Sequence, residues 1–171
     1  MPPTAEDDVS RLMPHQDLLT RLEQVGHQVA DRASELVITA MGFLGVPYRR
    51  GGNSVETGFD CSGFVRAMYE QTLGLILPRR ANEQAAATQT IDKGDLRPGD
   101  LVFFNTMKRT FSHVGIYVGN GKFIHSPKPG AQVRVEDMGV SYWARRFDGA
   151  RRVAVPGPVT GRPQSPTQAE Q

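Results

Sequence analysis

Apolar positions change rhythm part-way along this chain, from helical spacing in the first half to strand-like runs in the second. Leu18, Leu22, Val25 and Val29 follow a four-three-four spacing, which predicts a surface helix in a polar stretch reaching to about residue 31. Over 32–44, Leu36, Val37, Ala40, Met41 and Leu44 share one face and predict a second helix, ended by Pro47. Arg49-Arg50-Gly51-Gly52-Asn53-Ser54 is rich in turn formers and reads as loop. Phe64, Val65, Met68 and Leu73 predict a third helix, stopped by Gly74, with Asp60 standing where its N-cap belongs. A short helix is expected over 82–87.

Strand signals follow. Leu101-Val102-Phe103-Phe104 is a continuous apolar strand entered through the turn Leu96-Arg97-Pro98-Gly99-Asp100. Val114-Gly115-Ile116-Tyr117-Val118 is a second strand. Gly119-Asn120-Gly121 is a tight turn, and Lys122-Phe123-Ile124-His125 returns from it. Val133-Arg134-Val135 and Ala150-Arg151-Arg152-Val153-Ala154 alternate as strands do. Helices first and a run of antiparallel strands afterwards predict an α+β fold. From Pro156 the chain is rich in proline and polar residues and is expected to be a disordered tail. No internal repeat is visible.

At 171 residues and 39% hydrophobic content the chain holds one domain with a real core. Twenty basic and eighteen acidic residues leave a net charge of +2, and basic residues do not interleave with stacking aromatics, so a nucleic-acid partner is not expected. Arginines pair at Arg49-Arg50, Arg79-Arg80, Arg145-Arg146 and Arg151-Arg152. The plain reading is a solvated surface; the functional one is attraction to an acidic substrate, with Arg49 and Arg79 as its guides. A single cysteine leaves no internal disulfide and no CxxC zinc knuckle. The start MPPTAEDDVS lacks the basic region and apolar stretch of a secretory signal, and no apolar run reaches the length of a membrane span. Two expectations stand: either the protein leaves the cytoplasm by another route or not at all, or this sequence begins after a removed leader.

That cysteine, Cys61, follows the expected cap Asp60 and so lies in the first turn of a helix. There the helix dipole and unpaired amides favour an anion, which predicts a thiol that loses its proton more easily. Downstream stand two strand histidines, His113 and His125. The hairpin turn brings residues 126 or 127 opposite His113 and sets His125 beside it on the same face. Thiol chemistry needs a thiolate, a base and a group that orients the base, and these three residues supply that set. Each also has a plainer reading: a small buried cysteine, and histidines bonded in a sheet. The same three could bind zinc in an open site.

The flanking residues tip the balance. Phe59-Asp60-Cys61-Ser62-Gly63-Phe64-Val65 resembles the active-site signature of the NlpC family of papain-like cell-wall peptidases. Four further blocks agree in order: Gly45-Val46-Pro47-Tyr48-Arg49-Arg50-Gly51-Gly52, then Leu77-Pro78-Arg79 with Gln84, then 96–104, then Ser112-His113-Val114-Gly115 through Phe123-Ile124-His125. The match spans about residues 33–153. Arg50 departs from it, standing where relatives often carry an aromatic, and the 53–57 loop is slightly long.

The resemblance implies a papain-like α+β domain over 32–155, with 1–31 a polar, partly helical extension and 156–171 a tail. It implies Cys61 as nucleophile, His113 as base and His125 as orienting group, with no metal and no cofactor. It implies that Tyr48 reaches the substrate or the tetrahedral intermediate, and that Asp60 and Ser62 help bind substrate, Asp60 having the competing role of helix cap. The implied substrate is the peptidoglycan stem peptide, cut between D-glutamate and the diamino acid or, in some members, at a crosslink; the alternatives are a peptidoglycan amidase of the same fold and a non-catalytic wall-binding domain. A monomer in the periplasm or cell wall is expected.

Overall fold

The computed structural model describes residues 15–155, so the expected tail from Pro156 lies outside the described residues. Helix α1 runs His15–Met41 without a break. Two helices were expected here, but nothing between residues 29 and 34 breaks the backbone, so the polar and apolar patterns share one helix about 40 Å long. Only its C-terminal half meets the core: Leu36 and Ala40 are buried, whereas Leu18, Leu19 and Leu22 are more than half exposed. The apolar face is also narrower than its spacing predicts. Met41 and Leu44 are exposed, because the helix ends at Met41 and the chain turns through Gly42 and Gly45, the latter at φ +91°, before Pro47 is reached.

The stretch read as loop contains a small ladder, β1 (Asn53–Ser54) against β2 (Gly58–Phe59). Helix α2 (Cys61–Leu73) follows at once. Its N-cap is the expected one: Asp60 is extended and its Oδ1 accepts the Gly63 amide at 2.7 Å. Gly74, left-handed at φ 67°, ends it with its own amide on the Glu70 carbonyl and the Leu75 amide on that of Tyr69, a Schellman closure. Phe64, Val65 and Met68 are fully buried against the sheet, each stabilising by about 1.5–3 kcal/mol. Helix α3 (Ala81–Ala86) sends the buried Gln84 back to the Ser62 and Pro78 carbonyls at 3.0 and 2.9 Å.

The remaining strands are β3 (Gln89–Ile91), β4 (Leu101–Phe104), β5 (His113–Gly119), β6 (Lys122–His125), β7 (Arg134–Asp137) and β8 (Phe147–Arg152), with the short helix α4 (Ser141–Ala144) before β8. They form one antiparallel sheet in the order β3-β8-β4-β5-β6-β7. Strand β4 lies in the middle and is buried on both faces, which is why it reads as an unbroken apolar run. Leu101 and Phe103 join α2 in the larger core; Val102 and Phe104 face the other way, onto Phe123, Met138 and Trp143. Asp100 is buried at the entrance to β4 and takes both Nε and Nη2 of Arg152 at 2.9 Å, fastening β8 to the turn before β4.

Gly63 has no room for a side chain. A Cβ there would strike the Gly52 carbonyl and come within 2.8 Å of Asp60 Oδ1. Gly63→Ala is therefore expected to destabilise the protein by about 1–3 kcal/mol, read as a lowered urea midpoint. An unchanged midpoint would mean that the 52–63 approach relaxes freely.

Candidate active site

Asp60 does more than cap α2. Its Oδ1 and Oδ2 accept Arg79 Nη1 and Nη2 at 3.0 and 2.8 Å, and Oδ2 also accepts the Gly51 amide at 3.2 Å. Arg79 Nη1 reaches Ser62 Oγ at 3.0 Å as well, and Nη2 the Gly52 carbonyl at 3.4 Å. The Asp60 carboxylate raises the Arg79 pKa further. Arg79 is thus part of the framework around Cys61. This corrects its reading as a free guide for acidic substrates. Arg152 is likewise taken up by Asp100, and Arg146 lies 3.7 Å over the Tyr142 ring.

Cys61, at the first position of α2, opens into a cleft of about 640 Å³ that Tyr48, Asp60, Ser62 and Arg79 also line. Tyr48 is brought there by a bridge to Phe59. Burial raises its pKa, with Cys61 and Asp60 adding to the rise, so its hydroxyl keeps its proton at neutral pH. Ser126 Oγ donates to the Phe59 carbonyl at 2.7 Å and ties the end of β6 to the strand leading into Cys61.

Cys61 Sγ sits 4.0 Å from the Ser112 carbonyl and faces the Val114 amide, the two neighbours of His113. His113 and His125 are buried, 3% and 0% exposed. The hairpin register pairs Ile116 with Ile124 and Tyr117 with Phe123, which leaves His113 and His125 diagonal on one face, as expected. Gly115 lies between them, and a Cβ there would press on Phe123 and His125. His113 Nε2 and His125 Nδ1 are 2.7 Å apart. The rings thus point nitrogens at each other rather than converging on an ion. Among the described residues no cluster of three or more His, Cys, Asp or Glu has metal-holding geometry.

Three neighbours of this pair escaped the sequence reading. His125 Nε2 meets Glu136 Oε2 at 2.6 Å, and Arg134 Nε meets the same oxygen at 3.1 Å. Trp143 stacks on His113, centroids 5.6 Å apart, and stands edge-on to His125 at 5.1 Å. The signal for Glu136 was present in the alternation Arg134-Val135-Glu136, which continues the β7 strand onto the histidine face.

Burial sets the protonation of the pair. It pushes the Cys61 thiol up to about 11; the Val114, Ser62 and Cys61 amides pull the other way and Asp60 adds to the rise. The expected acidic thiol is therefore not the ground state, because desolvation outweighs the helix N-terminus. Burial, and then its histidine neighbour, hold His113 well below the usual imidazole value. Burial also lowers His125, against an opposing pull from Glu136. Glu136 is drawn down to about 2, first by its bond to His125. This contact is accordingly an ionised carboxylate against a neutral imidazole, not an ion pair.

Residues 45–152 match the family model described as the NlpC/P60 family. The chain belongs to the NlpC/P60 family. It is 47% identical over 116 residues to murein DD-endopeptidase MepH of Escherichia coli K12, covering 66% of this chain and 43% of that protein. It is 40% identical over 118 residues to the gamma-DL-glutamyl hydrolase of Bacillus subtilis 168, covering 68% of this chain and 28% of that one. The chain therefore spans less than half the length of these two relatives. The crystal structure of an NlpC/P60 family protein from Bacillus cereus superposes with a TM-score of 0.67 at 36% identity, over 72% of this chain and 40% of that one. The α+β, papain-like expectation holds: this NlpC/P60 domain packs a cysteine-bearing helix start against an antiparallel sheet.

Acid should undo the domain in two stages. Both histidines have folded pKa values below the ordinary 6.5, so below that pH the unfolded chain binds protons that the folded one refuses. Stability then falls as pH drops through 6.5, by about 1.4 kcal/mol per pH unit for each proton. Glu136 adds a second loss as pH falls from the ordinary 4.5 towards about 2. Urea midpoints between pH 7.5 and 3 read both stages, and His113→Ala should roughly halve the first slope. A midpoint flat from pH 7 to 5 would contradict the buried neutral pair.

Proposed function

We propose that this NlpC/P60 domain is a cysteine peptidase that hydrolyses an amide bond in peptidoglycan stem peptides. The observation that carries this reading is Cys61, at a capped helix start and open to the cleft, bracketed by the Ser112 carbonyl and the Val114 amide on either side of His113, which is itself joined to His125. Cys61 Sγ gives its proton to His113 as it attacks the carbonyl carbon. The oxyanion forms beside the Cys61 amide, one of the helix N–H groups without an intrahelical partner, and within reach of the protonated Tyr48 hydroxyl. His113 hands the proton to the leaving amine, water enters, and the acyl-enzyme is released with His113 as base. His125 orients His113. Asp60 and Ser62 form the wall of the substrate cleft and, with Arg79 already on the Asp60 carboxylate, shape it rather than offer a free charge.

The favoured bond is that between γ-linked D-glutamate and the diamino acid, supported by the likeness to a gamma-DL-glutamyl hydrolase. A crosslink between stems is the second reading, supported by the higher identity to a murein DD-endopeptidase. Arg80 and Arg109 line the same cleft and supply positive charge where stem carboxylates enter. The enzyme acts as a monomer in the periplasm or wall, where its substrate lies. No described helix is long and apolar enough to cross a membrane.

Mass spectrometry of defined muropeptides tests the reading. Wild type should release fragments whose masses name the bond: crosslinked dimers falling to monomers mark the crosslink, shortened stems the D-glutamyl bond. Cys61→Ala should cut at least roughly 10³-fold more slowly. Folded wild type with a titratable thiol and no cleavage of any muropeptide would sink the proposal.

A further inference from the structure

Two neutral imidazoles joined by one hydrogen bond can be wired in either direction. In one, His113 Nε2–H donates to His125 Nδ1, leaving the His113 Nδ1 lone pair for a proton from outside the pair. In the other, His125 Nδ1–H donates to His113 Nε2, which forces the His113 proton onto Nδ1 and removes the lone pair a base requires. The 2.7 Å contact alone does not choose between them.

Glu136 does. Its Oε2 lies 2.6 Å from His125 Nε2, and an ionised carboxylate can only accept. His125 Nε2 must then carry the proton. In neutral His125 this leaves Nδ1 bare, so His125 can only accept from His113, whose proton is fixed on Nε2. We infer that Glu136 is a positioning residue that sets the direction of the whole line, from its own carboxylate through His125 to the basic Nδ1 of His113.

Glu136 is itself held in place. Arg134 Nε meets the same oxygen at 3.1 Å, and the Trp143 indole hydrogen-bonds the carboxylate while its ring packs on both histidines. The charged and titratable groups facing the line are few. His113 faces His125 and feels Glu136; His125 faces Glu136 and Arg134; Cys61, at the other end, faces Asp60, with Tyr48 and Arg79 beside it. Among the described residues, Glu136 is the one carboxylate in contact with either imidazole. When His113 takes the thiol proton, the same carboxylate lies two hydrogen bonds from the imidazolium and opposes the burial that disfavours it.

This inference rests on the proposed Cys61–His113 chemistry, but its primary test needs no substrate. Long-range ¹H–¹⁵N correlation of the imidazole rings reports which nitrogen carries each proton. In the full-length wild type at pH 7, His113 and His125 should both carry it on Nε2. In Glu136→Leu a His125 Nε2–H would be buried without an acceptor, so its proton should move to Nδ1 and that of His113 to Nδ1 with it. Glu136→Gln keeps an oxygen acceptor and should retain the wild-type tautomers. Iodoacetamide alkylation of Cys61 at pH 7 should slow at least tenfold in the Leu variant and less in the Gln variant. For a muropeptide substrate, kcat should fall at least tenfold in Glu136→Leu with KM within about twofold. A wild-type histidine protonated on Nδ1 alone, or a folded Glu136→Leu with unchanged tautomers and alkylation, would overturn the inference. The expected tautomers in a protein that cuts no muropeptide would sink the hydrolase reading and leave this one standing.

Discussion

The Asp60 carboxylate is the point on which this domain is assembled. It caps α2 through the Gly63 amide, fastens the Gly51 turn, and receives both arms of Arg79 from the segment after the helix. The turn before β1, the start of α2 and the segment after it therefore meet one residue before Cys61. The exclusion of a side chain at Gly63 follows from the same closeness, since the cap draws the helix start onto the Gly52 carbonyl. A cap alone stabilises by about 1 kcal/mol. Its larger effect here is positional, because the thiol can move only if the cap, the turn and Arg79 move with it.

The second half of the site is built by different physics. The histidines lie on the sheet face opposite α2, in the smaller core of Phe104, Phe123 and Trp143, where desolvation rather than hydrogen bonding keeps them neutral. The two halves meet at the beginning of β5, where the Ser112 carbonyl and the Val114 amide bracket the sulfur. Ser126 adds a clasp from the end of β6 to Phe59. A rigid cap on one side and a dry aromatic box on the other leave the sulfur and the imidazoles little freedom, which suits the proposed thiol chemistry.

Much of this was legible in the chain because it is local. The α2 cap and stop, the apolar β4 run and the Gly119-Asn120-Gly121 hairpin are each encoded within a dozen residues, and the structure has all of them. What escaped is non-local or a contest between terms. β3 is polar and short, and exists only because Gln89 to Ile91 pair with residues 150–152, some sixty positions away. Helix α1 shows two patterns because its two halves face different surroundings, not because it breaks. The alternation through Arg134 and Val135 puts Glu136 on one face of β7, but only the register of β6 against β7 sets it beside His125. The acidic thiol was expected from the helix start, a term visible in sequence; the burial that outweighs it is a property of the folded neighbourhood.

Trp143 carries a consequence of a different kind. It is the chain's one tryptophan, and it lies within 6 Å of both imidazole rings, face-on to one and edge-on to the other. Every photon this protein emits under indole excitation therefore originates beside the histidine pair. A charge arriving on either ring changes the field at the one indole in the chain, so the native fluorescence is an unlabelled optical window on the charge state of the pair.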